Sequence, residues 1–262
     1  MGSKVVLSKR LAAVAIYVTK GNRVCDVGCD HGFVPIYLVQ QGISPGVLAM
    51  DVRKGPLMQA QFHIEECGLT QYINTRLSDG LDAYQIGEAD TLICAGMGGR
   101  LMKYILEARP DKTASFQELI LQPQSEIQIF RRFLREQGYR ITDENMIEED
   151  GKFYSIIYVT LGKRKETIPI EESLFRENIL GNSVKASVES GVWQTLEDLY
   201  GPLLIYKKHP VLRRYLEREE RIFDRILEEL QAKGLEDIRR QERYREIVRL
   251  RKDCRSVLEI FG

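Results

Sequence analysis

The residues with the clearest chemical potential lie close to the start of the chain. Asp26-Val27-Gly28-Cys29-Asp30-His31-Gly32 ends an apolar run and precedes a helical pattern. This is the order of a first strand, a ligand-binding turn and a helix N-terminus in a parallel α/β sheet. Gly28 and Gly32 allow the backbone to approach a ligand closely. The spacing is D-x-G-x-D-x-G, with acids where a dinucleotide-binding turn needs glycine beside a pyrophosphate. Carboxylates there repel phosphate and suit a ligand that carries an ammonium group. An ordinary acidic turn after a buried strand has the same appearance. His31 can act as a proton acceptor or as a structural hydrogen-bonding group at a helix start.

Four later positions fall at the same edge of such a sheet. Asp51 ends Gly46–Met50 and has the place of a carboxylate that accepts hydrogen bonds from ribose hydroxyls. Ser78-Asp79 follows Ile73–Leu77; Asp79 either accepts from an adenine amino group or caps the local turn. Ala95-Gly96-Met97-Gly98-Gly99 follows Ala89–Cys94, and its glycines either open the cleft to a flat substrate or form a tight turn. Gln122-Pro123-Gln124 follows Phe116–Leu121 and offers amides for paired hydrogen bonds to a base. S-adenosylmethionine carries the ammonium that the acids call for, and NAD does not.

The elements that must hold these residues follow from periodicity. Helices are expected over 8–20, with Ser8 as N-cap, and over Phe33–Gln41, Pro56–Glu66, Arg100–Ala108 and Ile127–Glu136. Strands are expected at Arg23–Val27, Gly46–Asp51, Ile73–Leu77, Ala89–Cys94 and Phe116–Leu121. Arg140–Ile147 and Phe153–Leu161 then read as a strand pair around Glu148–Lys152. A hairpin closing an alternating β-α sheet counts against a standard dehydrogenase.

The texture changes near Lys163, which divides the chain into expected domains 1–162 and 163–262. Val192–Tyr200 looks helical and Gly201-Pro202 breaks it. Two long charged helical runs follow, from Val211 to about Lys233 and from Leu235 to about Ile260, predicting an α-helical hairpin of coiled-coil type. Its stripe is expected from Leu212, Tyr215, Leu216, Glu219, Ile222, Phe223, Ile226, Leu227 and Leu230 against Tyr244, Ile247, Val248, Leu250, Val257 and Leu258. Lys207, Lys208, Arg213 and Arg214 cluster at its foot, and basic residues crowd the second arm. They form either a positive strip for a phosphate backbone or a solvated face, and they do not by themselves distinguish RNA from a protein partner.

Composition narrows the class. In 262 residues, 44% are hydrophobic and 38 basic residues balance 38 acidic ones. That is ample for a core and neutral about nucleic acid. No apolar run is long enough to span a membrane, and Met1–Lys4 shows no apolar signal segment. The five scattered cysteines read as reduced thiols of a cytoplasmic protein, and Cys25 with Cys29 has no second pair to make a metal site.

These motifs together resemble the bacterial tRNA (adenine-N1)-methyltransferase family that modifies adenine 22. The resemblance rests on Leu7–Leu11, Asp26–Gly32, Ser78–Leu81, Ala95–Gly99, Leu121–Gln124, Phe153-Tyr154 and the C-terminal hairpin. It implies a Rossmann-like class I sheet that binds S-adenosylmethionine, and a helical, coiled-coil-like domain that engages tRNA. No obligate protein partner is evident in the sequence, and a monomer is expected. On this resemblance the cofactor site is Asp26, Gly28, Asp30, His31, Gly32, Asp51, Ser78, Asp79, Ala95 and Gly96. Asp26, Gly96, Met97 and Gly98 stand at the reacting centre. Arg10, Gly99, Gln122, Pro123 and the basic foot hold the substrate. Similar proteins often carry asparagine at position 124, so the role of Gln124 stays open. Asp26 either anchors the cofactor or takes part in transfer. Competing readings are a class I methyltransferase for another RNA or for protein, an NAD-dependent oxidoreductase, and a non-enzymatic RNA-binding scaffold.

Overall fold

The computed structural model describes residues 4–161, 190–234 and 236–262. The chain divides into two compact units, Met1–Thr167 and Ile168–Gly262. The anticipated boundary at 162/163 lies at the edge of residues outside the described set.

The first unit is built on a seven-stranded sheet: β1 (Val24–Val27), β2 (Val47–Asp51), β3 (Ile73–Leu77), β4 (Thr91–Met97), β5 (Glu118–Pro123), β6 (Ile141–Glu149) and β7 (Lys152–Thr160). Their spatial order is β3-β2-β1-β4-β5-β7-β6. β1 to β5 run parallel, while β7 is antiparallel to both β5 and β6. The strand order reverses between β1 and β4, where a doubly wound sheet opens its ligand crevice. Helices cover both faces: α1 (Lys9–Ala15), α2 (Phe33–Gln40), α3 (Lys54–Glu66), α4 (Gly99–Ala108), α5 (Pro110–Thr113) and α6 (Ile127–Glu136). Every residue of β1, β2 and β5 is buried, which is why these strands read as unbroken apolar runs rather than as alternation. Successive side chains feed opposite cores: Val24, Ala49, Ile93 and Ile120 on one face, Cys25, Met50, Leu92 and Leu121 on the other.

Several elements depart from their sequence expectations: β4 starts at Thr91 and carries Ala95, Gly96 and Met97 inside the strand instead of in the following loop, and the short α5 was not expected. The helix expected over 8–20 ends at Ala15, and beyond the turn that follows it Thr19 and Asn22 reach Glu118. That carboxylate is 1% exposed. It accepts from Thr19 N (3.0 Å), Thr19 Oγ1 (2.6 Å), Thr91 Oγ1 (2.6 Å), Tyr158 Oη (2.7 Å) and Asn22 Nδ2 (3.3 Å). It thereby ties the α1–β1 connection to β4 and β7. β5 begins later than expected and carries Gln122 and Pro123 inside the strand instead of in the following loop. The β6–β7 turn is shorter than expected: Asp150 (φ 51°) and Gly151 (φ 69°) both take left-handed conformations, matching the two-residue turn favoured by strand twist.

The second unit contains α7 (Ser190–Tyr200), α8 (Pro202–Tyr206), α9 (Pro210–Ala232) and α10 (Ile238–Phe261). The break at Gly201-Pro202 is itself the start of a short helix, with proline in its first turn, where no amide partner is needed. α9 and α10 form the anticipated antiparallel hairpin, with Gly234 (φ 74°) after the first arm. Leu212, Leu216, Phe223 and Leu227 face Ile247, Cys254, Val257 and Ile260. Cys254 donates to the Leu216 carbonyl at 3.3 Å. Val248, assigned above to the stripe, is 42% exposed. It sits about 100° around the helix from Ile247, while the seven-residue step from Ile247 falls on Cys254.

Candidate active site

The carboxyl edges of β1 to β4 surround a cavity of about 510 Å³, to which α1 and the loop after β5 also contribute. Its floor is the turn after β1. Gly28 takes φ 79°, and its amide donates to the Met50 carbonyl at 2.8 Å. The positive φ is what calls for glycine there; a Cβ would also stand 2.8 Å from the mobile end of the Met97 side chain, which would have to move aside. Asp30 and His31 line the cavity beyond it; His31 Nε2 is 3.7 Å from Asp30 Oδ2, and both side chains are about half exposed or more.

Two buried carboxylates line this floor and feel each other's charge. Asp26 and Asp51 are each 4% exposed. Burial, and after it the charge of Asp51, pushes the Asp26 carboxyl up to about 7. Asp51 Oδ1 accepts from the Arg53 amide at 2.9 Å, and Arg53 Nε is 3.7 Å away. Two acids sharing a water-poor site call for a cation or for hydroxyl donors. At the far end, Ser78 gives its hydroxyl to the Gly80 carbonyl (2.9 Å) and accepts from Ala83 N (3.0 Å). Ser78 therefore closes the turn, and the exposed carboxylate of Asp79 borders the cavity without that duty.

At the opposite end Ala95, Gly96 and Met97 form the wall, with Gly96 at φ 82°. Arg10 reaches in from α1. Its Nη1 donates to Gln122 Oε1 at 2.8 Å, and its guanidinium lies 5.7 Å from the Tyr154 ring centroid. A Cβ at Gly96 would be 3.5 Å from Arg10 Nη1 and 3.7 Å from Gln124 Nε2. The cation and the amide thus flank Gly96.

Several residues assigned to the site from sequence do not line the cavity. Gly32 caps α2 (φ 73°), and a Cβ there would come 3.1 Å from Ala60 Cβ, so it serves the packing of α2 on α3. Gly98 is the N-cap of α4. Gly99 lies against the loop after β5, where a Cβ would meet the Glu126 and Ser125 carbonyl oxygens at 2.8 and 2.9 Å. Both belong to a junction between two loops, held by Gly99 N to Ser125 O (2.9 Å) and Gln124 N to Met97 O (3.0 Å). Gln122 is fully buried and occupied by Arg10, and Pro123 is inside β5, so neither offers a group to a base. Gln124 lines the cavity in their place. Sequence reading also missed Arg53, Phe33 and Leu101 as lining residues. Only their position just beyond strand ends or at helix starts could have marked them. Lys207, Lys208, Arg213 and Arg214 are exposed residues of the second unit, and Arg213 Nε is 2.9 Å from Glu217. Among the described residues no group of three or more His, Cys, Asp or Glu side chains could hold a metal ion.

The methyltransferase-domain family model matches residues 7–157. Over 158 residues the chain is 40% identical to the tRNA (adenine(22)-N(1))-methyltransferase of Bacillus subtilis, a match covering 60% of this chain and 66% of that protein. The chain belongs to the bacterial tRNA (adenine(22)-N1)-methyltransferase family. A putative tRNA methyltransferase of Mycoplasma pneumoniae is 30% identical over 172 residues, 64% of this chain and 78% of the relative. The crystal structure of the B. subtilis m1A22 tRNA methyltransferase TrmK superposes with a TM-score of 0.76 at 29% identity, covering 97% of this chain and 100% of that one. A putative tRNA (m1A22) methyltransferase of Streptococcus pneumoniae, solved in complex with S-adenosyl-L-methionine, gives 0.74 at 29% identity, covering 98% and 100%. Family membership and the class I architecture are those that the paired Asp26–Gly32 and Ala95–Gly99 motifs led us to expect.

Proposed function

We propose that this chain transfers a methyl group from S-adenosylmethionine to N1 of adenine 22 in tRNA, acting as a cytoplasmic monomer. The observation that carries the reading is the buried Asp26–Asp51 pair beside the Gly28 turn, under a cavity at the sheet's topological switch point. When bound, S-adenosylmethionine supplies an electrophilic sulfonium methyl. Asp26 suits its ammonium, Asp51 its ribose hydroxyls, and Asp79 an exocyclic adenine amine. Gly28 leaves the space that a side chain would fill.

The remaining task is placement. Adenine N1 already has an in-plane lone pair, so the protein must hold it in line with the methyl–sulfur bond at roughly 3 Å. The Gly96–Met97 wall and the Gln124 amide form the surface against which the ring can lie. Methylation makes the ring cationic, and a guanidinium touching it would oppose that charge. Arg10, pinned by Gln122 and Tyr154, is therefore better matched to a phosphate of the same nucleotide. N1 is on the Watson–Crick edge, so the base must leave its stack at a cost of a few kcal/mol.

Residues 163–262 are assigned to tRNA binding. α10 carries eight Arg and Lys against four Asp and Glu. Arg251 and Arg255 pair with Asp224 and Glu220 of α9, both at 2.5 Å. Arg245, Arg249 and Lys252 share one exposed face by helical spacing, a geometry suited to a phosphate backbone. Among the described residues no helix is long and apolar enough to cross a membrane. The deciding experiment offers labelled methyl donor and unmodified tRNA to the purified chain and maps the product nucleoside and its position. Label at N1 of adenine 22 is expected. Label in protein alone, or at another tRNA atom, refutes the reading.

A further inference from the structure

The lip of the cavity carries an aromatic cluster that the chemistry above does not use. His31 and Phe33 line the cavity and stack with centroids 5.6 Å apart and planes 21° apart. Phe33 stacks in turn on His63 of α3, at 5.1 Å and 19°. Phe62 meets His63 edge-on at 5.9 Å. The His63 ring is fixed by Nδ1, 2.9 Å from the His31 carbonyl oxygen. The cluster is largely open: Phe33 is 38% and Phe62 54% exposed. Four residues before Phe62 on the same helical face stands Met58, 70% exposed, and four before that the exposed Lys54. From the cleft edge down α3 this face presents a cation, a thioether and an aromatic ring. Rings this exposed add little to folding, and a contiguous apolar patch beside a cleft marks a contact surface.

We propose that His31, Phe33, His63 and Phe62 form a stacking shelf for a nucleobase adjacent to the methylated adenine, with Lys54 on its phosphate. The proposal rests on the tRNA-methyltransferase reading above. When the target base leaves its stack, the neighbouring base loses a partner on one face. A shelf that begins at the cavity lip, where His31 and Phe33 line the same cavity as the Gly96–Met97 wall, and runs outward over α3 offers a replacement face for that neighbour. Stacking on aromatic and histidine rings tolerates any base, so the shelf adds affinity without reading sequence. The exposed Arg53 and Lys54 at the head of α3 favour a polyanion over an apolar protein surface.

The test compares Phe62→Ala and His63→Ala with Phe62→Trp in the full chain, measuring tRNA affinity by fluorescence anisotropy and S-adenosylmethionine affinity by calorimetry. Phe62 does not line the cavity, so an unchanged cofactor affinity reports an intact fold. Each alanine variant should bind tRNA about fivefold or more weakly, and Phe62→Trp should bind as wild type. Replacing the nucleotides flanking adenine 22 by abasic sites should weaken the wild type and leave Phe62→Ala unaffected. Wild-type tRNA affinity in both alanine variants overturns the shelf, as does an equal abasic penalty in wild type and Phe62→Ala. Binding is read without turnover, so a wild-type chain that leaves adenine 22 unmethylated refutes the functional reading separately.

Discussion

Replacing Asp26 by asparagine separates what this carboxylate costs the fold from what it gives the ligand. Burial, with the charge of Asp51, lifts its carboxyl from 3.8 to about 7. At 1.36 kcal/mol per pH unit, keeping it ionised in the folded chain costs up to about 4 kcal/mol. The sign follows from proton uptake: between pH 4 and 7 the folded state holds a proton that the unfolded state has released, so stability falls as pH rises through this window. Below pH 4 both states are protonated and the penalty is absent; above 7 it is complete. Asp26→Asn should therefore leave stability near wild type at pH 4 and raise it at pH 8, by up to about 4 kcal/mol in urea unfolding. Cofactor binding should move the other way. An ammonium needs the ionised carboxylate, so wild-type affinity should rise close to tenfold per pH unit from 5.5 to about 7 and then level. Above about 8 the α-amino group of the ligand itself loses its proton. Calorimetry at pH 6 in buffers of different ionisation enthalpy should show about one proton released per cofactor bound. Asp26→Asn should bind more weakly, without this pH dependence or proton release. A wild-type affinity that is flat from pH 5.5 to 7.5, or an asparagine variant as tight as wild type, would refute the reasoning.

Gly28→Val forces a β-branched residue to φ 79° and puts its side chain on the cavity floor; cofactor binding measured by calorimetry should disappear, and wild-type affinity would reject the close-approach role. Glu118→Ala strips Thr19, Asn22, Thr91 and Tyr158 of their common acceptor and should destabilise the first unit by about 3 kcal/mol or more, while cofactor affinity at the opposite sheet edge stays constant. Neutralising Arg245, Arg249 and Lys252 together to glutamine should lower the slope of log affinity for tRNA against log salt by about 2 to 3, with the cofactor constant unchanged. An unaltered slope would remove this face from the tRNA contact.

The sequence by itself determined the order of the strands and of the longer helices, because each of these elements is written in local terms; the short α5 and α8 escaped it. Buried strands are apolar runs, helices repeat at 3.6 residues, and Asp150-Gly151 and Gly234 mark turns. It also placed Asp26, Asp51, Asp79 and the Gly96 wall together, since carboxyl ends of parallel strands share one edge of the sheet whatever the packing. Only the tertiary structure decided what each glycine and amide of those motifs does. Gly28 and Gly32 look alike in sequence, yet one faces the cavity and Met97 while the other lies on Ala60 of α3. Gly96 opens the cleft, whereas Gly98 and Gly99 accommodate the loop after β5. Gln122 and Gln124 differ by two positions, and their duties were divided by Arg10, 112 residues earlier than Gln122. The missing Cβ of a glycine and the amide of a glutamine acquire a purpose only from the atom that comes to lie against them. Across most of these contacts, that atom belongs to a different strand or helix, brought there by sheet register and packing rather than by any neighbour in sequence.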